Sequence, residues 1–336
     1  MLSYLIVGSG YRAEYFGRAA RTYPDLFRAL FLCRSEEKVR MMREHTGIPA
    51  TVSLSDCLSF RPDFIVVAVD RGHMADVIEE WAGRGFPVVA ETPVAADPDQ
   101  LERIGALGRA GARIVSCEQY PRQPILAAGL REIEAGTIGA PSSLYISLLH
   151  DYHAFGLIRR ALQIGRGEDY TVAGACLQAP AARTDSRTGA FYDGQLQDAE
   201  RTAAVIRFSS GKLAVYDFSP LQYRSYIRSR HLTVRGSRGE WTDTAVLYLD
   251  ENNQPQRKML LPVIPEKYRL LDTQALRDRR RNWTAELAPD TVQDEFAIAS
   301  FLLDMGDYLH GGECPYPLWE ALEDARFWMR LQELSR

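Results

Sequence analysis

"YLIVGSGYRAEYFGRAA", Tyr4 to Ala20, joins an apolar run, a glycine break and a helical tail in one short stretch. The run has no polar alternation, so it fits a strand covered on both faces. Gly8, Gly10 and Ala13 then stand in G-x-G-x-x-A spacing between strand and helix. Gly8 permits a tight turn, Gly10 leaves room for backbone N–H groups to approach a pyrophosphate, and Ala13 lets helix and strand pack closely. The helix N-terminus favours the anion. Tyr11 and Arg12 lie in the same turn and join these three as candidate cofactor contacts. The spacing alone also fits a glycine turn without a ligand; the strand–turn–helix context favours the ligand.

Working outward, the same alternation repeats. "ALFLC" (29–33), "FIVVAV" (64–69), "PVVAE" (87–91) and "RIVSC" (113–117) are apolar runs. Helix-like segments follow the first run from Arg12 to Tyr23 and the next three at Glu36–His45, His73–Arg84 and Asp97–Ala110. Asp97 before Pro98 reads as an N-cap, and Gly111 as a stop. Runs buried on both faces and joined by helices predict a parallel Rossmann sheet.

After residue 120 the texture changes. Helix-like "PILAAGLREIEAGTIG" precedes a strand, "SSLYISLL", and a helix, "AFGLIRRALQIG". Six β-type runs then follow: "YTVAGACLQ", "RTAAVIRF", "KLAVYDF", "HLTVRG", "WTDTAVLYL" and "KMLLPVI". Ser210-Gly211 and Ser237-Arg238-Gly239 are hairpin signals. Helices from about Thr291 to Leu309 and Leu318 to Leu334 end the chain. This predicts an α+β domain with a mostly antiparallel sheet. The expected domains are therefore 1–120, dinucleotide-binding, and 121–336, for substrate and oligomer contacts.

Composition excludes several classes. The 336 residues are 46% hydrophobic and 25% charged, with a formal charge of -4, which favours neither nucleic acid nor an anionic membrane. The basic run Arg277–Arg281 reads as a solvated loop face. Five cysteines without C-x-x-C spacing read as free thiols, so a cytoplasmic setting is expected. No apolar segment approaches the roughly 20 residues needed to span a bilayer.

The second strand ends in Cys33-Arg34-Ser35, with Lys38 one turn on. A carboxylate there would hold the ribose hydroxyls of NAD; Arg34 and Ser35 can instead meet a 2′-phosphate, so NADP is favoured over NAD. Arg34 also fits a residue that stacks on adenine or faces water. Val69, after the fourth run, completes the candidate cofactor set with Glu91. Asp70 beside it suits a helix cap.

The fifth run closes in "VVAETPVA", with Glu91-Thr92-Pro93. The glycine loop, this Glu-x-Pro and the α+β second domain resemble the glucose–fructose oxidoreductase/inositol dehydrogenase (Gfo/Idh/MocA) family in layout over nearly the whole chain. The resemblance implies a Rossmann domain plus a domain with a large, open, mostly antiparallel sheet whose outer face forms the dimer contact. It implies hydride transfer between NAD(P) and a hydroxyl-bearing carbon of a sugar- or cyclitol-like small molecule, by a homodimer or homotetramer. Family members carry Glu-Lys-Pro; here Thr92 replaces the lysine. Threonine orients a group but is a poor acid or base at neutral pH.

The family also holds an Asp and a His one turn apart at the start of the second domain's first major helix. The histidine matches His153, while Leu149 stands at the aspartate. "LLHDYHAF" crowds His150, Asp151, Tyr152 and His153 at a strand-to-helix junction. His153 is the first candidate acid/base, with a structural histidine as the bland alternative. Tyr120, after the sixth run, is the second candidate, with Arg122 as its charge partner; packing is the alternative. His150 and His153 lack a third ligand, so no metal is expected. "DFSPLQYRSYIRSRH" (217–231) reads as a strand with one wet face or a pocket wall. The expected function is an NAD(P)-dependent oxidoreductase. The alternative, opened by Thr92, is a dinucleotide-binding sensor or partner-binding protein without catalysis.

Overall fold

A computed structural model describes residues 1–186, 189–262, 264–280 and 291–334. The chain divides into two compact units. The first comprises Met1–Gln123, Pro265–Leu276 and the stretch that ends at Arg326. The second comprises Pro124–Ile264, the last turn of the short helix that follows Thr273, and the chain from Phe327.

In the first unit, strands β1 (Leu2–Val7), β2 (Phe27–Leu32), β3 (Ala50–Thr51), β4 (Phe64–Val67), β5 (Val88–Ala90) and β6 (Ile114–Ser116) form one sheet. Their order is β3-β2-β1-β4-β5-β6, and every pairing is parallel. This is the doubly wound dinucleotide-binding order, with its switch point between β1 and β4. Tyr4, Leu5, Ile6, Phe64, Ile65, Val66, Val88 and Val89 are fully enclosed, as strands covered on both faces require.

Helices α1 (Tyr11–Thr22), α2 (Glu36–Thr46), α3 (Leu54–Phe60), α4 (Met74–Gly83) and α5 (Pro98–Arg109) make the crossovers. Asp97 caps α5 by accepting the Gln100 N–H at 2.8 Å, with Pro98 in the first turn. β3 and α3 were not foreseen. A two-residue strand gives no periodicity, and α3 is announced only by Ser53, which accepts the Asp56 N–H.

The second unit begins with α6 (Pro124–Glu134), β7 (Pro141–Ser147) and α7 (Asp151–Leu162). Strands β8 (Tyr170–Ala182), a small pair β9 (Asp185–Ser186) and β10 (Gly189–Ala190), β11 (Leu196–Phe208), β12 (Leu213–Phe218), β13 (His231–Gly236), β14 (Gly239–Thr242), β15 (Ala245–Leu249) and β16 (Pro255–Met259) follow. Eight of them form a sheet ordered β16-β15-β14-β13-β7-β12-β11-β8. It is antiparallel throughout except where β12 meets β7. One face is buried through Leu144, Ile146, Ala204, Ile206, Tyr216, Leu232, Val234 and Trp241. A Cβ on Gly129 of α6 would come within 2.2 Å of the Trp241 ring, so α6 lies tight on that face.

Three expectations for this unit need correction. "WTDTAVLYL" is two strands, because Asp243 turns the chain at φ 48°. "KMLLPVI" contributes only its first residues, the end of β16. Residues 217–231 are not one strand: Pro220–Arg224 form a 3-10 turn with Ser219 and Gln222 as a capping box.

The C-terminal part of the chain also differs from the expected division at 120. The helix α8 (Gln274–Arg280) is followed by α9 (Thr291–Leu309) and α10 (Leu318–Glu333). Phe296, Ile298, Phe301, Leu302 and Met305 are all buried, so α9 is apolar around most of its circumference. It packs on α1, and Leu2 reaches its Gly306, where an added Cβ would lie 2.6 Å from the Leu2 side chain. This apolar surface places α9 in the first unit. The basic run starts inside α8, where Arg277 and Asp278 are exposed; its end at Arg281 lies outside the described residues. All five cysteines are free, and no described helix is long and apolar enough to cross a membrane.

Candidate functional site

The glycine loop follows β1. Gly8 turns at φ 135°, and a Cβ on it would stand 2.1 Å from the Ala68 carbonyl oxygen. Only glycine fits there. Gly10 is the N-cap of α1 in extended conformation, and no side chain caps the helix. Nothing lies within 4 Å of where its Cβ would be. The first-turn N–H groups of α1 therefore keep their capacity for an anion. Ala13 is fully buried. Gly17, which the G-x-G-x-x-A pattern does not include, makes the closer approach: its Cβ would lie 2.7 Å from the Phe31 ring.

At the end of β2, Cys33 is buried and Arg34 is exposed. Arg34 forms no hydrogen bond or ion pair among the described residues. Ser35 caps α2, its hydroxyl accepting the Lys38 N–H at 3.3 Å. Val69, half-buried, follows β4. Asp70 caps the next turn by accepting the Gly72 N–H at 2.9 Å.

The ends of β5 and β6 hold a charged cluster. Glu91 is 6% exposed and accepts from Arg12 Nε at 2.8 Å. Arg12 also stands 3.6 Å from Asp294 of α9, and Gln123 Nε2 donates to the other Asp294 oxygen at 2.9 Å. Burial raises the Glu91 carboxyl above the usual range while Arg12 pulls it down. Burial pushes Asp294 up to about 6, against Arg12 and Gln123, with Glu91 and Glu118 adding to the rise. Arg12 Nη2, Thr92 Oγ1 and Gln119 Oε1 are enclosed and have no hydrogen-bond partner among the described residues. Such atoms cost about 1–3 kcal/mol each, and here they gather at the carboxyl ends of parallel strands, where open α/β sheets bind ligands.

Asp294 was missed because it lies some 170 residues beyond the Rossmann pattern, in a helix whose apolar residues dominate its reading. Tyr120 is 6% exposed, and its N–H donates to Glu118 Oε1 at 3.0 Å. Arg122, expected as the charge partner of Tyr120, instead donates to Asp304 at 2.7 Å. The Tyr268 hydroxyl and Lys267 Nζ donate to the same carboxylate at 2.6 and 3.0 Å.

In the second unit, β7 delivers the "HDYH" junction to the start of α7. His153 is 4% exposed, with its ring 4.7 Å from that of His150 and 4.4 Å from that of Tyr152. His150 is half-buried. Its backbone N–H donates to the Tyr223 hydroxyl at 3.0 Å, and its Nδ1 lies 2.6 Å from the same oxygen. Its Nε2 lies 3.1 Å from the Tyr152 hydroxyl. Asp151 adopts φ 41°, and its N–H donates to the Tyr216 hydroxyl at 3.0 Å. A non-glycine residue in the left-handed region costs of order 1–3 kcal/mol and persists only where neighbours enforce it. Tyr223 comes from the 217–231 segment, which therefore contributes a tyrosine to this junction. Among the described residues no three His, Cys, Asp or Glu side chains gather as a metal cluster.

Residues 2–119 match the family profile described as "Oxidoreductase family, NAD-binding Rossmann fold" (GFO_IDH_MocA). No curated protein matches in sequence. Solved structures with the same fold include a levoglucosan dehydrogenase in complex with NADH and levoglucosan, 15% identical, TM-score 0.70, covering 99% of this chain and 97% of that one. The WlbA dehydrogenase from Bordetella pertussis, in complex with NADH and UDP-GlcNAcA, is 16% identical with TM-score 0.66 over 100% and 95%. An oxidoreductase from Desulfitobacterium hafniense, described as NADPH-dependent, is 13% identical with TM-score 0.65 over 99% and 94%. The open glycine loop fits a dinucleotide, and residues 2–119, the N-terminal Rossmann region, are similar to the NAD-binding Rossmann fold of the Gfo/Idh/MocA oxidoreductase family.

Proposed function

We propose that the chain transfers hydride between NADP(H), or NAD(H), and the hydroxyl-bearing or carbonyl carbon of a small, polar, sugar- or cyclitol-like molecule. The observation that carries this reading is the loop of Gly8 and Gly10, open above an uncapped α1 in a 3-2-1-4-5-6 sheet. Levoglucosan and UDP-GlcNAcA, bound by proteins of similar fold, support a substrate of this kind.

Roles follow from the chemistry of each group. The cofactor, when bound, supplies or accepts the hydride. Gly8, Gly10, Tyr11, Arg12 and Ala13 receive its pyrophosphate region, Arg34 and Ser35 its adenosine 2′ position, and Val69 and Glu91 its other half. Thr92 orients without titrating. The "HDYH" junction handles the substrate proton, with His153 as the acid/base and the half-exposed His150, bridged to Tyr223 and Tyr152, as its route to solvent. Tyr120 is the second candidate donor. The free thiols suit a cytoplasmic setting.

A second copy is the partner proposed for the open face of the eight-stranded sheet. Ala173, Ala175 and Leu177 of β8 are exposed there beside the half-buried Ala203 and Val205 of β11 and Val215 of β12. Small, apolar residues on a broad exposed sheet face suit association.

The test is label transfer. With NADPH deuterated at nicotinamide C4, a panel of keto-sugars and keto-uronic acids is expected to yield one alcohol product heavier by one deuterium. If cofactor binds but no carbonyl compound ever acquires the label, the enzyme reading falls and the sensor reading, which Thr92 favours, replaces it.

A further inference from the structure

Among the described residues, two carboxyl groups at the ends of β5 and β6, Glu91 and Asp294, share one guanidinium. Arg12 of α1 faces Glu91 at 2.8 Å and Asp294 at 3.6 Å. Glu118, which follows β6, adds its field to both carboxyls. Gln123 is neutral, and burial keeps the Cys117 thiol well above its ordinary range, so it stays uncharged. Arg122 is engaged by Asp304. Arg18 of α1, the nearest other guanidinium along that helix, pairs with Glu295 and Glu14. Thr92 contributes no charge where family members carry lysine.

A dinucleotide across the carboxyl edge of this sheet sets its adenosine toward β2 and its nicotinamide toward β4–β6. The oxidised nicotinamide ring is cationic and the reduced ring neutral. We propose that Asp294, with Glu91, makes the nicotinamide end of the site selective for the oxidised cofactor, and that the proton on Asp294 sets the strength of that selection. The inference rests on the dinucleotide reading above.

The chemistry has a direction. In reduction, a C–H bond at nicotinamide C4 breaks with its electron pair, and a C–H bond forms at the substrate carbonyl carbon. The oxygen takes a proton from the acid/base, and the ring is left cationic. Carboxylates fixed nearby stabilise that charge as it develops. The cluster therefore biases the bound pair toward substrate reduction, more strongly once Asp294 has lost its proton.

Both cofactor forms share their adenosine and phosphates, so the ratio of their affinities isolates the ring charge. Calorimetry on the full chain with NADP⁺ and NADPH, from about pH 5 to pH 8, measures it. The ratio Kd(NADPH)/Kd(NADP⁺) is expected to rise roughly tenfold with pH through the Asp294 titration, as expected for a single charge at short range in a partly buried site. Near pH 6, buffers of different ionisation enthalpy should show proton release when NADP⁺ binds. Asp294→Asn should flatten the ratio and abolish the release, while Glu295→Gln, one residue on and paired with Arg18, should leave both intact. A pH-independent ratio in the wild-type protein, or an Asp294→Asn variant with the wild-type slope, overturns the proposal while leaving dinucleotide binding in place. Absence of binding by either form at every pH overturns the dinucleotide reading itself, and this proposal with it.

Discussion

Gly8 and Gly10 meet different demands, and substitution should separate them. At Gly8 any side chain collides with the Ala68 carbonyl in a left-handed backbone. Gly8→Ala should therefore destabilise the folded protein by about 2 kcal/mol or more, measured by urea denaturation. At Gly10 a side chain meets open space, so Gly10→Val should fold normally and lose its ligand. Arg34 is exposed and makes no ion pair among the described residues, so Arg34→Ala should leave stability unchanged and reduce NADPH affinity about tenfold, with NADH affinity little affected. Comparative titration of the two cofactors checks this; equal losses for both would mean that Arg34 does not read the 2′ position. At this scale the glycine loop was legible in sequence, because each glycine stands beside the strand and helix it serves. The Arg12–Asp294 contact was not legible, since the two residues meet only through tertiary packing.

At the scale of the element, α9 carries a buried aspartate, Asp304, and a half-buried one, Asp294, with opposite pH behaviour. Burial alone would raise Asp304, but Arg122, Tyr268 and Lys267 hold it below the usual carboxylate range. A lowered carboxyl contributes stability above its unfolded value and loses it as pH falls through the folded one. Asp304→Ala should thus cost about 3 kcal/mol at neutral pH, because Arg122 loses its anion, and should cost little at low pH. Asp294 is raised to about 6, so its contribution is full below the ordinary aspartate range and is lost as pH rises through about 6. Asp294→Asn should remove that loss, and the variant should gain up to about 3 kcal/mol on wild type between pH 4 and pH 8. Denaturation midpoints of both variants across pH read the two signs directly; parallel curves would refute them. The parallel strands and their crossovers were readable from apolar runs and caps. α9 was read as a helix but assigned to the wrong unit, because its nearly continuous apolar surface identifies a buried helix without naming what buries it. The turn at Asp243 was hidden because Trp241 to Leu249 reads as unbroken β-type sequence.

For the whole molecule, the open sheet face yields the oligomer prediction. Val205→Arg places a charge on that face, between Ala173 of β8 and Val215 of β12, and should convert a dimer to monomer in analytical ultracentrifugation, without unfolding, since Val205 points away from the buried side. A variant that sediments as wild type would move the interface elsewhere. The account as a whole rests on a dinucleotide seated over the β1–α1 turn, and the most direct measurement is a fluorescence titration of NADPH against wild type and Gly10→Val. The account predicts saturable binding by the wild-type protein and affinity at least tenfold weaker in the variant, with unchanged circular dichroism and thermal midpoint. Equal affinity in the two folded proteins, or no binding by the wild type, would contradict it.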